Sequence, residues 1–276
     1  MELHIGFSPC PNDTYIFDAL VHQRIDTEGL IFKVVMEDVE ALNRMATEKE
    51  LEITKLSFHA FFHVAEQYQL LHAGAALGHD CGPLLIAKRP ILLNKIPDCR
   101  IAIPGRLTTA HFLLQLRFGN QLQTEPMLFS DIEKCVLNDA FDAGLIIHEN
   151  RFTYQDRGLI KLIDLGAWWE QTYQHPIPLG GIVIRRDLPE DIKQKVNRVI
   201  RRSVEYANQY PTESVPFSRQ YAQEMEDDVL KQHIELYVNE YSVDLGNKGK
   251  QAIDQMHQLA VQQGILNAII KTPLFL

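Results

Sequence analysis

The sequence has few cysteines and no long apolar runs, and each absence excludes a class of protein. Its four cysteines form no C-x-x-C pair and no zinc-type spacing, which predicts free thiols in a reducing cytoplasm and no metal site. No stretch reaches the roughly 18 apolar residues of a membrane span, so we expect no membrane partner. Residues 1–20 lack a basic segment followed by an apolar stretch and a cleavage site, so we expect no secretory signal.

Nucleotide-binding motifs are also missing, and the charge is unfavourable for nucleic acid. Neither G-x-G-x-x-G nor a phosphate-binding loop occurs, so we predict no nucleotide cofactor. The net charge of -9 argues against nucleic acid and anionic membranes as partners. An acidic protein still binds a small anion when the pocket itself is locally positive. The hydrophobic fraction of 46% is typical of a folded globular protein.

Short apolar strands alternate with amphipathic helices along the chain, and this order is typical of α/β folds. Good helix-capping residues, Asn12, Asp13 and Thr14, follow the first strand. We predict strands at 3–8, 30–36, 51–56, 82–87, 100–103, 143–147 and 181–184, with helices at 12–24, 39–47, 57–68, 109–118 and 131–137, and mainly helix from 189 to 270.

The elements fall into two sets with the same order of strand, tight turn and capped helix. We therefore predict two α/β lobes, each with a mixed, mostly parallel sheet flanked by helices. Residues 1–87 and 185–276 would form lobe I and residues 88–184 lobe II, with two hinge crossings between them. Ligands of such folds bind at the carboxyl ends of strands and in clefts between domains. The predicted site is thus the cleft between the lobes.

Three strand–turn–helix junctions would bring backbone N–H groups and hydroxyls to this cleft, a combination that suits a carboxylate. Lys55 would add a full positive charge beside Ser57. Taken singly, Ser57, Thr108 and Thr109 are better explained as ordinary helix N-caps, and it is the three matching junctions together that favour a binding site. The candidate binding residues at the three junctions are Ser8, Asn12, Lys55, Leu56, Ser57, Thr108, Thr109 and Ala110.

His148 is the candidate catalytic base, because it follows the apolar strand 143–147 at a strand carboxyl end. Imidazole is the side chain whose ordinary pKa suits proton transfer near neutral pH. His59 and His63 lie four residues apart on a predicted helix, but no third metal ligand follows them, and we interpret the pair as structural. Cys10 and Cys81 show no nearby activating base in the sequence.

Five motifs together resemble the 1,4-dihydroxy-6-naphthoate synthases of the futalosine route to menaquinone. The first two are specific, and the resemblance spans essentially the whole chain. The motifs are SPCPNDT at 8–14, ITKLSFHA at 53–60, CGPLL at 81–85, LIIHE at 145–149 and PLGGI at 178–182.

This resemblance implies a two-lobed fold like the type II periplasmic binding proteins and a cytoplasmic lyase without a cofactor. The implied substrate is cyclic dehypoxanthinyl futalosine, a carboxylated spiro compound, and the implied product is 1,4-dihydroxy-6-naphthoate. The family's substrate contacts correspond to 55–57 and to Thr109 and Ala110, and its proton acceptor corresponds to His148. The oligomeric state stays open, with a homodimer as one alternative.

Three other functions compete with this hypothesis. Chorismate dehydratase acts earlier in the same pathway and also takes a carboxylated substrate on a binding-protein fold. A transporter's solute-binding protein would need the secretory signal that residues 1–20 lack. The ligand-sensing half of a transcription regulator would need a DNA-binding module, which the chain does not offer. The last two would bind a small carboxylate without turnover.

Overall fold

The computed structural model describes residues 1–222 and 226–276 of the chain. These residues form eleven strands and twelve α-helices. The strands are β1 (Glu2–Phe7), β2 (Ile31–Met36), β3 (Ile53–Ser57), β4 (Tyr68–Leu70), β5 (Ala76–Gly78), β6 (Leu84–Ala87), β7 (Arg100–Ile103), β8 (Gln123–Pro126), β9 (Ala143–Ile146), β10 (Ile160–Asp164) and β11 (Ile177–Arg185). The helices are α1 (Pro11–Val21), α2 (Val39–Thr47), α3 (Phe58–Val64), α4 (Thr109–Phe118), α5 (Ile132–Leu137), α6 (Asn150–Thr153), α7 (Leu165–Tyr173), α8 (Glu190–Gln209), α9 (Pro211–Tyr221), α10 (Asp227–Tyr237), α11 (Glu240–Val243) and α12 (Gly246–Gln262).

The strands form two separate sheets. The first has the order β2-β1-β3-β11-β4, with β5 also paired to β11, and the second has the order β10-β6-β9-β7-β8. β1 is parallel to β3, and β7 is parallel to β9. Because parallel strands end at the same edge of a sheet, the residues after β1 and β3 lie together, as do those after β7 and β9.

The first sheet is held by apolar side chains that alternate along β1. Leu3, Ile5 and Phe7 are fully buried and belong to one hydrophobic cluster with Val199 and Ile200 of α8. A fully buried side chain of this size stabilises the fold by about 1.5–3 kcal/mol. A second cluster includes residues of both sheets and thereby links the two halves. Packing against these clusters holds β1 and β3 in place, while their carboxyl ends lie at the cleft.

The sheets are mixed, as predicted, but the expectation that they are mostly parallel is wrong. Among the described strands, β1–β2, β1–β3, β7–β8 and β7–β9 are parallel pairs. β11 is antiparallel to β3, β4 and β5, and β6 is antiparallel to β9 and β10. An apolar run shows that a strand forms, but its direction depends on where the chain re-enters the sheet. Here the chain returns from the second sheet, and β11 joins the first sheet antiparallel to β3.

The predicted lobe boundaries at 87/88 and 184/185 also differ from the membership of the sheets. β6, expected in lobe I, pairs with β9 and β10 in the second sheet. β11, expected at the end of lobe II, pairs with β3 in the first sheet. Both crossings therefore come earlier in the chain, between β5 and β6 and between α7 and β11. The sequence of an apolar strand does not show which sheet the strand joins.

The first helix begins before the residues that were expected to cap it. α1 starts at Pro11 with Cys10 as its N-cap, and no side chain caps it. Proline suits the first position of a helix because the N–H that it lacks would have no intrahelical partner there. The helix ends at Val21 rather than at 24, since Gln23 has a φ of +54°. Asn12 and Asp13 thus lie inside the first turn of α1, and their side chains make other contacts.

The carboxyl-terminal third of the chain is helical, as expected, from α8 to α12. The predicted helical stretch 189–270 includes residues 223–225, which lie outside the described residues. The last helix ends at Gln262. Along 1–222 and 226–276, none of the helices combines the length and apolar character needed to cross a membrane.

Candidate active site

A cavity lies between the two sheets, at the carboxyl ends of their parallel strands. Its free space is about 720 Å³, including the part open to solvent. Pockets for small organic ligands have volumes of about 300–1,000 Å³. Its lining includes Ser8, Asn12, Asp13, Val39, Leu42, Lys55, Leu56, Ser57, Ala76, Cys81, Pro83, Thr108, Thr109, Ala110, Ile147, His148, Leu179, Gly180 and Tyr237. All nine residues that the sequence analysis selects for catalysis or binding are in this lining.

Lys55 is part of a buried ion pair. Its Nζ atom donates to Asp13 Oδ1 at 2.8 Å and to the carbonyl oxygen of Gly74 at 3.0 Å. The Ser8 hydroxyl and backbone N–H donate to the other oxygen of Asp13, at 2.7 and 3.2 Å. The positive charge predicted for Lys55 is therefore at the cavity, but it is paired with Asp13. Opposite charges attract strongly where water is excluded, so the pair forms before any ligand arrives.

Ser57 does not cap α3 with its side chain. Its N–H donates to Asn43 Oδ1 at 3.1 Å, and Asn43 Nδ2 donates to the Ser57 hydroxyl oxygen at 3.3 Å. Asn43 Nδ2 also lies 3.3 Å from Glu40 Oε2, whose other oxygen accepts from the backbone N–H of Arg106 at 2.8 Å. α2 thus connects the end of β3 to the turn that precedes α4. Neither Glu40 nor Asn43 is marked by any local sequence signal.

The start of α4 supplies the donors from the second sheet. Thr108 is its N-cap, and the Thr108 hydroxyl accepts from the N–H of His111 at 3.2 Å. The Thr109 hydroxyl donates to the Leu179 carbonyl oxygen at 2.6 Å and accepts from His59 N–H at 3.4 Å. For Thr108 the capping interpretation is thus confirmed, while Thr109 connects α4 to β11. The first N–H groups of a helix have no intrahelical acceptor, and the beginning of α4 borders the cavity.

His148 follows β9 in a left-handed backbone conformation, with a φ of +60°. Such a conformation is costly for a residue other than glycine and is concentrated at functional sites. Its ring packs edge-on against Phe129, with 5.0 Å between ring centroids, and lies parallel to His233 at 6.3 Å. Burial lowers the pKa of His148 to about 4, with Asp13 and Asp38 opposing the shift. The imidazole is therefore neutral at pH 7 and carries a lone pair that accepts a proton.

Asn12 uses its side chain within the protein. Its Nδ2 donates to Asp13 Oδ1 at 2.9 Å, and its Oδ1 lies 2.9 Å from Nε2 of His233. His233 comes from α10, 221 residues further along the chain, and is fully buried. His233 was not predicted as a site residue, because no feature of the sequence around it shows that α10 packs beside the cavity.

Cys10, which precedes α1, and Cys81, which lines the cavity, remain thiols at neutral pH. Burial, together with the charge of Glu149, raises the pKa of Cys10 well above its usual range. Burial likewise raises the pKa of Cys81 to about 12. A thiol is a poor nucleophile without its thiolate form, so neither residue is suited to nucleophilic catalysis.

A protein-family model described as menaquinone biosynthesis matches residues 3–262. The chain belongs to this family. It is 44% identical over 273 residues to the 1,4-dihydroxy-6-naphthoate synthase of Thermus thermophilus, covering 99% of this chain and 98% of the relative. It is 38% identical over 275 residues to the enzyme of the same name from Streptomyces coelicolor, covering 97% and 95% of the two chains.

Solved structures confirm the type of fold. A protein of Archaeoglobus fulgidus superimposes with a TM-score of 0.91 at 34% identity, covering 96% of this chain and 98% of that one. A Candida albicans protein with the generic periplasmic binding protein fold matches with a TM-score of 0.67 at 14% identity, covering 100% and 98%. At that low identity the likeness concerns the fold alone. The predicted periplasmic-binding-protein-like fold is therefore confirmed.

Proposed function

We propose that the protein is a 1,4-dihydroxy-6-naphthoate synthase that acts on cyclic dehypoxanthinyl futalosine in the cavity between the sheets, with His148 as the base. The observation that carries this proposal is the full-length similarity to two enzymes of that name. The cavity supports it, because a neutral histidine and the start of a helix lie along one enclosed lining. A cytoplasmic location and a homodimer stay predictions.

The substrate carboxylate has a suitable partner at the start of α4. The helix dipole and the N–H groups of Thr109 and Ala110 favour a negative charge there, and the Ser57 hydroxyl adds a donor from the first sheet. Lys55 acts mainly by holding Asp13 and the end of β3 in place, since its charge is already paired. We propose that binding between the two sheets fixes the substrate in one orientation relative to His148 and limits access of water.

The chemistry then needs one base and a fixed substrate. The His148 lone pair accepts the proton of a substrate hydroxyl group. The resulting alkoxide becomes a carbonyl as the adjacent carbon–carbon bond breaks, and the electron pair of that bond passes into the conjugated ring system. The sugar-derived fragment is released with the new carbonyl group. The imidazolium returns a proton, and tautomerisation of the dione gives the aromatic diol. Aromatisation supplies the driving force. Electron pairs and protons move only within the substrate and to and from His148, so no external oxidant or reductant is required.

The base role of His148 predicts a large loss of turnover when its imidazole is removed. We expect His148→Ala to lower kcat by about 10²–10⁴-fold at saturating substrate, the usual effect of losing a general base. Product formation is followed by the ultraviolet absorbance of the naphthol. His63→Ala, on an exposed side chain outside the cavity lining, is the matched control and should keep normal turnover. Full activity of His148→Ala would contradict the role of His148.

The substrate assignment has its own test. The purified protein is incubated separately with cyclic dehypoxanthinyl futalosine and with chorismate. We expect the first to give 1,4-dihydroxy-6-naphthoate and the second to remain unchanged. Consumption of chorismate would identify a dehydratase instead, and tight binding of either compound without turnover would identify a binding protein.

A further inference from the structure

Three side chains of different metal-ligand types converge next to the cavity, and one of them, His148, lines it. One ligand atom each from Cys10, His148 and Glu149 lies within 4.8 Å of the other two. Cys10 immediately precedes α1, and the other two residues follow β9, so both sheets contribute. Cys10 is 5% exposed and Glu149 is 3% exposed. These residues are far apart in the sequence, which explains why cysteine and histidine spacing predicts no metal site.

A fourth buried side chain, His233, faces the carboxylate of this cluster. Asn12 Nδ2 donates to Asp13, so Asn12 presents Oδ1 to His233, and Nε2 of His233 carries the ring proton. Nδ1 is then a lone pair. Within the described residues it has no hydrogen-bond partner, and it lies 3.7 Å from Glu149 Oε2, which is also an acceptor when ionised. Two buried acceptors that face each other are unfavourable, and a cation bound to Glu149 would offset the charge of the carboxylate that faces this lone pair.

We propose that Cys10, His148 and Glu149 form a binding site for a thiophilic divalent cation of the Zn²⁺ class. Sulfur, imidazole nitrogen and carboxylate oxygen are the three ligand types of zinc in proteins, and three protein ligands leave one coordination position open. His233 Nδ1 lies beside Glu149 without being one of the three ligands. A sulfur ligand disfavours Mg²⁺ and Ca²⁺, which take oxygen ligands.

Occupation of this site uses the lone pair of His148. The cation therefore competes with the proton that the base must accept, and we expect it to inhibit turnover. This consequence rests on the proposed function, whereas binding of the cation does not. Ligation also requires the thiolate form of Cys10, so a proton is released when the cation binds.

Cobalt(II) gives a direct readout of sulfur ligation that is independent of activity. We expect the wild-type protein to develop a sulfur-to-cobalt charge-transfer band in the near ultraviolet on addition of Co²⁺, and Zn²⁺ to abolish it. Cys10→Ser should lose the band and bind Zn²⁺ at least about 10-fold more weakly in a chelator competition. Cys81→Ser is the matched control, because Cys81 is also a buried thiol of the cavity but is not one of the three ligands. It should keep the band.

The outcomes separate the two proposals. Absence of the band in the wild-type protein, or its persistence in Cys10→Ser, would overturn the metal site. Circular dichroism shows whether Cys10→Ser is folded, and Glu149→Gln provides a second variant that should also weaken Zn²⁺ binding. If Zn²⁺ abolishes turnover and a chelator restores it, competition between the cation and the proton for His148 is supported. Turnover unaffected by bound Zn²⁺ would overturn that competition. Failure of the metal-free protein to convert the substrate would refute the proposed function and leave the cobalt result standing.

Discussion

Replacing Asp13 by asparagine tests the buried ion pair on which the cavity depends. The side chains of Lys55 and Asp13 are 8% and 3% exposed, and their charged atoms are 2.8 Å apart. At an effective dielectric constant of about 20, two unit charges at that distance attract each other by about 6 kcal/mol. Part of this attraction offsets the cost of removing both charges from water. Removing one partner leaves the other buried and unpaired, which costs about 3–5 kcal/mol.

We therefore expect Asp13→Asn to lower the free energy of unfolding by about 3–5 kcal/mol, measured by urea denaturation at pH 7. The double variant Asp13→Asn/Lys55→Met removes the unpaired charge, so it should recover a large part of this loss. Asp139→Asn is the control: Asp139 pairs with Lys88 at 2.6 Å, but its side chain is 51% exposed, and little change is expected.

Two results would refute this reasoning. A loss of less than about 1 kcal/mol in Asp13→Asn would show that the pair is solvated and contributes as little as a surface pair. A double variant less stable than Asp13→Asn would show that the Lys55 ammonium is satisfied without Asp13.

The remaining predictions concern acid stability and the start of α4. Burial, with the charges of His63 and His111, lowers the pKa of His59 to about 3. Between pH 6.5 and about 3, the His59 imidazole therefore takes up a proton in the unfolded chain but not in the folded protein. The free energy of unfolding should therefore fall as the pH drops from 6.5 towards about 3, and His59→Phe should reduce that slope by up to about 1.4 kcal/mol per pH unit; an unchanged slope in urea titrations would contradict the shift. Thr108→Ala removes the side-chain cap of α4 and should cost about 1 kcal/mol of stability and raise KM; unaltered values of both would show that the cap does not position the helix.

The elements predicted best are those with their own end signals. The bounds of α2 (Val39–Thr47) and α4 (Thr109–Phe118) agree with the prediction, because Asp38 and Thr108 cap them with their side chains. β4 and β5 were missed because three-residue strands show no alternation. The direction of β11 was also beyond the sequence, since it depends on the path of the chain through the other sheet.

In the candidate site, too, local features could be predicted from the sequence and long-range contacts could not. Strand ends and helix starts are local features, so the sequence analysis selects Ser57, Thr109 and His148, and all three line the cavity. The partners of these residues are not local. Asp13 was expected to cap a helix and instead neutralises Lys55, 42 residues away. Side-chain pairing across such distances is decided by packing, and periodicity carries no information about it.

The central claim is that an organic acid binds between the two sheets with a reacting hydroxyl group at His148. A crystal structure of the protein with 1,4-dihydroxy-6-naphthoate tests it most directly. We expect the product carboxylate to accept hydrogen bonds at the start of α4 and a product hydroxyl to lie within about 3.2 Å of a His148 ring nitrogen. A product bound outside this cavity, or bound within it with the His148 ring turned away, would contradict the claim.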